Sequence, residues 1–151
     1  MATIKQLQTL FSKLGIDVHQ RKTRINAWTS GRTQSVKELQ EEELKDLCES
    51  LSAEINLQKK HIDDAKRLRR STILKIATAE GIKAPNDWDT FNDFMLHKSI
   101  VKKSLRLCSI EELDRVILQF RAIAQSNATS ASKAGTKAYF KQFGLQKPCS
   151  N

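Results

Sequence analysis

Between Gly31 and Gly81 the chain contains no glycine, and no proline precedes Pro85. Nothing in that span stops a helix by backbone geometry alone. Within it a 3–4 alternation runs through Leu44, Cys48, Leu51, Ile55, Gln58, Ile62, Ala65, Arg69, Thr72, Ile76 and Ala79, and eight of those eleven positions are apolar. That spacing lays them along one helical stripe. Unbroken from about 41 to 80, the helix reaches roughly 60 Å at 1.5 Å per residue. The alternative is a break near residues 52–56, because helices of that length are uncommon in small domains.

Shorter helices flank it. Thr3 opens a pattern with Ile4, Leu7, Leu10, Phe11 and Leu14 on one face and Gly15 where a helix-terminating residue belongs. Asp17 then suits the N-cap of a second helix near Val18–Trp28, with Val18, Ile25 and Trp28 as its apolar stripe. After a loop at Thr29–Thr33, Ser35 and Glu38 stand at capping-box spacing. Beyond Gly81, Asn86 can cap a helix carrying Trp88, Phe91, Phe94, Met95 and Leu96. Ser109 and Glu112 form a second capping box, opening a helix through Leu113, Val116, Ile117, Phe120 and Ile123. Small polar residues from Ser126 to Thr136 read as a linker or a frayed helix end. The tail carries Tyr139, Phe140 and Phe143 at helical spacing, a pattern that suits docking on a core.

The halves echo one another. Glu43-Leu44 through Leu51 aligns with Glu112-Leu113 through Phe120 at an offset of 69 residues, and Gly15-Ile16 aligns with Gly81-Ile82 at an offset of 66. This is either an internal pseudo-repeat or the general likeness of capped, acidic helices. In both cases the expected fold is all-α, two small helical lobes joined by a long central helix, with at least six helices. The expected divisions are an N-terminal lobe (1–56), the basic part of the central helix (57–83), a C-terminal lobe (84–125), and a linker with its aromatic tail (126–151).

Composition excludes several classes. No stretch approaches the roughly 20 apolar residues of a membrane span, so no membrane partner is expected. The N-terminus lacks the apolar core of a secretory signal. Cys48, Cys108 and Cys149 match no zinc or disulfide spacing; Cys48 and Cys108 sit among apolar neighbours as core residues would. Together these features point to the cytoplasm. His19, His61 and His97 have no partner at a recognisable catalytic spacing, and no GxxxxGK[ST], HExxH or GxSxG occurs. An enzyme, a metal site and a cofactor are therefore not expected.

Charge is what remains, and it is sorted along the chain. The 151 residues hold 26 Lys+Arg against 17 Asp+Glu, a formal net charge of +9. Residues 37–56 are net −5 and 84–97 net −3, while 1–36 are net +5, 57–83 net +5 and 98–108 net +4. Carboxylates in the first turns of capped helices suit the helix dipole. The basic blocks need a different reason. Arg21, Lys22 and Arg24 lie on the second helix after a short Gly turn, a helix-turn-helix-like arrangement in which such side chains read base edges or form a solvated face. Arg32 lies in the loop that follows. Lys59, Lys60, Lys66, Arg67, Arg69 and Arg70 form the second block, denser than solubility requires and suited to phosphate. Lys98, Lys102, Lys103 and Arg106 form the third, ahead of a helix start that suits an anion.

Lys5-Gln6 through Leu14-Gly15-Ile16-Asp17, then Thr29-Ser30-Gly31-Arg32-Thr33-Gln34-Ser35-Val36-Lys37-Glu38-Leu39 with Glu43-Leu44, resembles the phage regulatory protein family typified by Gem of the transposable Mu-like phages. The likeness covers about the first 55 residues, with a looser echo in 102–123. Val18-His19-Gln20 stands where the family pattern has a Tyr after the Gly turn. The resemblance implies a small cytoplasmic phage or prophage protein that modulates DNA transactions.

The sequence thus leads to a non-enzymatic regulatory protein with nucleic acid, DNA in the first place, as its phosphate-gripped partner. Its rival is a helical adaptor that binds a protein. The stripe left over on the central helix, interrupted by Gln58, Arg69 and Thr72, supports at most a weak homodimer.

Overall fold

A computed structural model describes residues 1–133 together with Lys141 and Gly144. The described residues form five α-helices and no strand: α1 (Ile4–Lys13), α2 (Val18–Trp28), α3 (Glu41–Ala79), α4 (Trp88–His97) and α5 (Ile110–Ser132). Single 3-10 turns at Val36–Glu38 and Leu105–Leu107 precede α3 and α5. The chain is all-α, and α3 runs through residues 52–56 without a break for 39 residues. The aromatic tail Tyr139, Phe140 and Phe143, and Cys149, lie outside the described residues.

Two compact units divide the chain, Met1–Ile62 and Asp63–Asn151. In the first, Leu7, Leu10 and Phe11 of α1, Ile25 of α2, and Leu44, Leu47, Cys48 and Leu51 of α3 close into one core around Ile16. In the second, Ile73 and Ala77 of α3 pack with Phe91 and Met95 of α4, Leu105, Cys108, and Leu113, Val116, Ile117 and Phe120 of α5. Phe120 meets the Phe94 ring edge-on, 5.4 Å between centroids. Both cysteines are buried thiols, and desolvation pushes their pKa up.

The two units use the same local devices in the same order. α1 ends with Gly15 at φ +67°, where the Gly15 N–H donates to Ser12 O and the Ile16 N–H to Phe11 O. α3 ends identically, with Gly81 at φ +73° donating to Thr78 O and Ile82 to Ala77 O. This is the paired bond pattern of a Schellman motif. Asp17 caps α2 and Asp87 caps α4, each carboxylate accepting from a backbone N–H three residues on. A buried hydroxyl follows each helix: Thr29 donates to Ile25 O and accepts from Thr33 N, and Ser99 donates to Met95 O and accepts from Lys102 N. Glu43 and Glu112 then accept from Gln40 N and Ser109 N, each at 2.9 Å.

Four local expectations change. Residues 126–132, expected as the start of a linker, are the last turns of α5, which stays helical through Ser132; Ala124, Ala128 and Ala131 favour helix over the small polar residues between them. Ser35 makes no side-chain cap bond, so the Ser35/Glu38 spacing marks only a 3-10 turn; the Glu38 carboxylate is taken by the Thr33 hydroxyl instead. Asp87, not Asn86, caps α4. Of the expected α2 stripe only Ile25 is buried, because Val18 and Trp28 are the terminal residues of the helix and the core reaches only its middle.

Candidate nucleic-acid interface

In the first unit, α2 is positioned by its own basic residues. The Arg21 Nε donates to Ile16 O at 2.9 Å and its guanidinium lies 5.8 Å from the Phe11 ring centroid. Arg21 therefore clamps the α1–α2 turn. Arg24 makes two parallel bonds to Glu54 of α3, at 2.8 and 3.1 Å; the carboxylate is held below its ordinary range by Arg24, and the guanidinium is raised by Glu54. Arg32 donates to Glu38 O and pairs with Glu43. A base-reading role for Arg21 and Arg24 is not what this geometry favours, since both guanidinia are already engaged within the unit. Lys22, Lys59 and Lys60 are exposed, and among the described residues none of them has a hydrogen-bond or ion-pair partner.

The second unit brings two sequence blocks together. Arg70 of α3 reaches from the Lys66–Arg70 run to the 3-10 turn of the other block, its Nη2 donating to Arg106 O at 3.1 Å. One residue earlier, Arg69 donates from Nε to Asp114 of α5 at 2.7 Å. Lys103 bonds Glu112 at the start of α5, and that ammonium is the first cause of the lowered Glu112 pKa. Arg69, Arg70 and Lys103 are thus the frame. The cations left around them are Lys66, one helical turn before Arg70, the exposed Arg67, and Lys102 and Arg106 on the loop, whose charged groups have no hydrogen-bond or ion-pair partner among the described residues. Lys98, exposed at the end of α4, is likewise without a side-chain partner there. Lys102 has φ +48°, a left-handed conformation held by the bond from its N–H to the buried Ser99 hydroxyl.

This arrangement leaves long-stemmed cations at the rim of a hydrogen-bonded frame. It can neutralise phosphates without ordering a base-reading fork. One detail costs stability: Arg70 Nε is buried with no acceptor, the one side-chain N or O so placed among the described residues. His97 forms only an exposed pair with Asp93 four residues earlier, 3.4 Å apart.

Sequence reasoning listed the basic residues without separating frame from rim. It also passed over the matched pair of loop-to-helix locks, Arg32–Glu43 and Lys103–Glu112. The offset of 69 that relates Glu43 to Glu112 was the available signal for those. Comparison with known proteins finds no match, whether by family model, among curated proteins or among solved structures. Among the described residues no helix is long and apolar enough to cross a membrane.

Proposed function

We propose that the protein is a non-enzymatic regulatory protein of phage or prophage origin that binds nucleic acid, DNA in the first place, in the cytoplasm. The observation that carries the reading is the meeting of two separate basic blocks in the second unit, through Arg70 and Arg106 O. Lys66, Arg67, Lys102 and Arg106 are the phosphate-gripping residues, with Lys98 beside them; Arg69, Arg70 and Lys103 hold the frame. Contacts to phosphate alone carry little sequence information, so binding is sequence-tolerant. The origin and the regulatory role rest on the N-terminal likeness to the Gem-type family.

The test is a titration against DNA over a range of salt. Four to five phosphate contacts give a log–log salt slope of about −4 on duplex DNA. Reversing Arg67 and Lys102 to Glu should flatten the slope and weaken every sequence alike. Absence of duplex and single-strand binding at tens of micromolar protein in about 50 mM salt would reject the reading. The adaptor reading would then lead. It draws on exposed apolar residues of the second unit, Leu96, Ile100, Leu107 and Leu118. A weak homodimer belongs to either reading, through Leu57 and Ile62 exposed on α3; a monomer in sedimentation at high micromolar concentration would remove it.

A further inference from the structure

One aromatic ring in the second unit is neither core nor ordinary surface. Trp88 opens α4 and is 49% exposed, yet its ring is held edge-on by Phe91, which is fully buried, with centroids 6.2 Å apart. Beside it lies a cleft of about 640 Å³ whose polar lining is Ser71, Lys75 and Thr78 of α3 and Lys83 of the following turn. The Lys83 ammonium rests 4.3 Å from the indole centroid. No carboxylate lines the cleft. Asp87, which feels the charge of Lys83, has its own carboxylate bonded to the Thr90 N–H and hydroxyl as the cap of α4.

The same stripe of α3 leads into the rim described above. Arg67, Ser71, Lys75 and Thr78 follow one another at steps of four, four and three residues, which keeps them on one side of the helix. A row of cations and hydroxyls ending at a rigid, half-exposed indole is the combination that single-stranded nucleic acid recognises: phosphates follow the charge and a base stacks on the ring. Duplex DNA cannot offer its base faces to such a ring without unstacking.

We propose that this cleft is a stacking site for one base of a single-stranded nucleic acid, with Lys75 and Lys83 on the flanking phosphates. The proposal rests on the reading of the protein as a nucleic-acid binder and narrows it to strands with accessible bases. To admit a base, half-buried Lys83 gives up both its cation–π contact, which is weak near solvent, and its 3.2 Å hydrogen bond from Nζ to Ala84 O, and its ammonium moves to phosphate.

The experiment uses the full chain carrying Trp28→Phe, so that Trp88 is the sole tryptophan emitter. It is titrated with a thymine homopolymer strand of about 12 nucleotides and with a mixed-sequence duplex of the same length. The expected result is quenching of Trp88 by the strand alone and a tighter Kd for the strand than for the duplex. Trp88→Ala should weaken strand binding by about 5- to 150-fold and leave duplex binding unchanged. Equal affinity for both with Trp88 emission unmoved, or wild-type strand affinity in Trp88→Ala, would overturn the stacking site while leaving phosphate binding intact. Failure of both nucleic acids to bind would overturn the parent reading and the site with it. Should Trp88→Ala not fold, the quenching and strand preference of the Trp28→Phe chain decide the matter by themselves.

Discussion

At the scale of single residues, the two buried hydroxyls show how much a loop depends on one atom. Thr29 Oγ1 donates toward Ile25 O and accepts from Thr33 N at 3.2 Å, and the residue is 8% exposed. Thr29→Val keeps the shape but leaves the Thr33 N–H with no acceptor in that turn, a loss of about 1–3 kcal/mol. Urea denaturation should show that drop with little change in m-value. The glutamates at the helix starts make a pH prediction. Arg32 and Lys103 hold Glu43 and Glu112 below their ordinary value of 4.5, and Arg24 does the same for Glu54. Groups whose folded pKa is depressed add stability that is present in full above the unfolded value and lost as pH falls through the folded one. The Tm should therefore be level toward neutrality and fall below about pH 4.5. Glu112→Gln retains the capping geometry and removes the charge, so it should lower Tm at pH 7 and shrink the difference from wild type in acid.

At the scale of elements, each helix is bounded by short-range chemistry. Gly15 and Gly81 sit at φ +67° and +73°, where an L side chain is strained. Nothing lies within 4 Å of a Cβ at Gly15, and only the flexible Lys141 Nζ, at 3.3 Å, meets one at Gly81. Alanine at either position should therefore cost about 1–2 kcal/mol from backbone strain rather than collision, read as a lower midpoint in thermal unfolding. Most of this level was legible in the sequence. The Gly-free span, the 3–4 spacing and the Asp17 and Ser109 caps act over four residues or fewer, so they need no knowledge of the rest of the chain. Where sequence reading slipped, a neighbour in space had taken the group: Thr33 holds the Glu38 carboxylate that Ser35 was expected to engage. Val18 and Trp28 had the right chemistry for a core but stand at helix ends.

For the molecule as a whole, the net charge of +9 sets solubility and long-range attraction for polyanions, but it does not say where an anion lands. Charge reversal distinguishes the units. Arg67→Glu with Lys102→Glu should remove two of the four to five phosphate contacts and bring the log–log salt slope of DNA binding from about −4 to about −2. Arg24→Glu should act mainly on stability, because it sets two carboxylates against each other at Glu54; an exposed pair of this kind is worth about 0.2–1 kcal/mol, and Kd at fixed salt should move little. Salt titrations of the two variants side by side check this. The sequence by itself determined that the chain is helical, where most helices begin and end, and which apolar residues could face inward, since periodicity and capping are local. Only the tertiary structure decided which cations are spent on the fold. Arg24 meets Glu54 across 30 residues, Arg70 meets Arg106 O across 36, and Arg69 meets Asp114 across 45. An arginine on the outside of a helix reads the same in sequence whether its partner is a carboxylate or water, because the choice depends on which distant helix packing brings alongside.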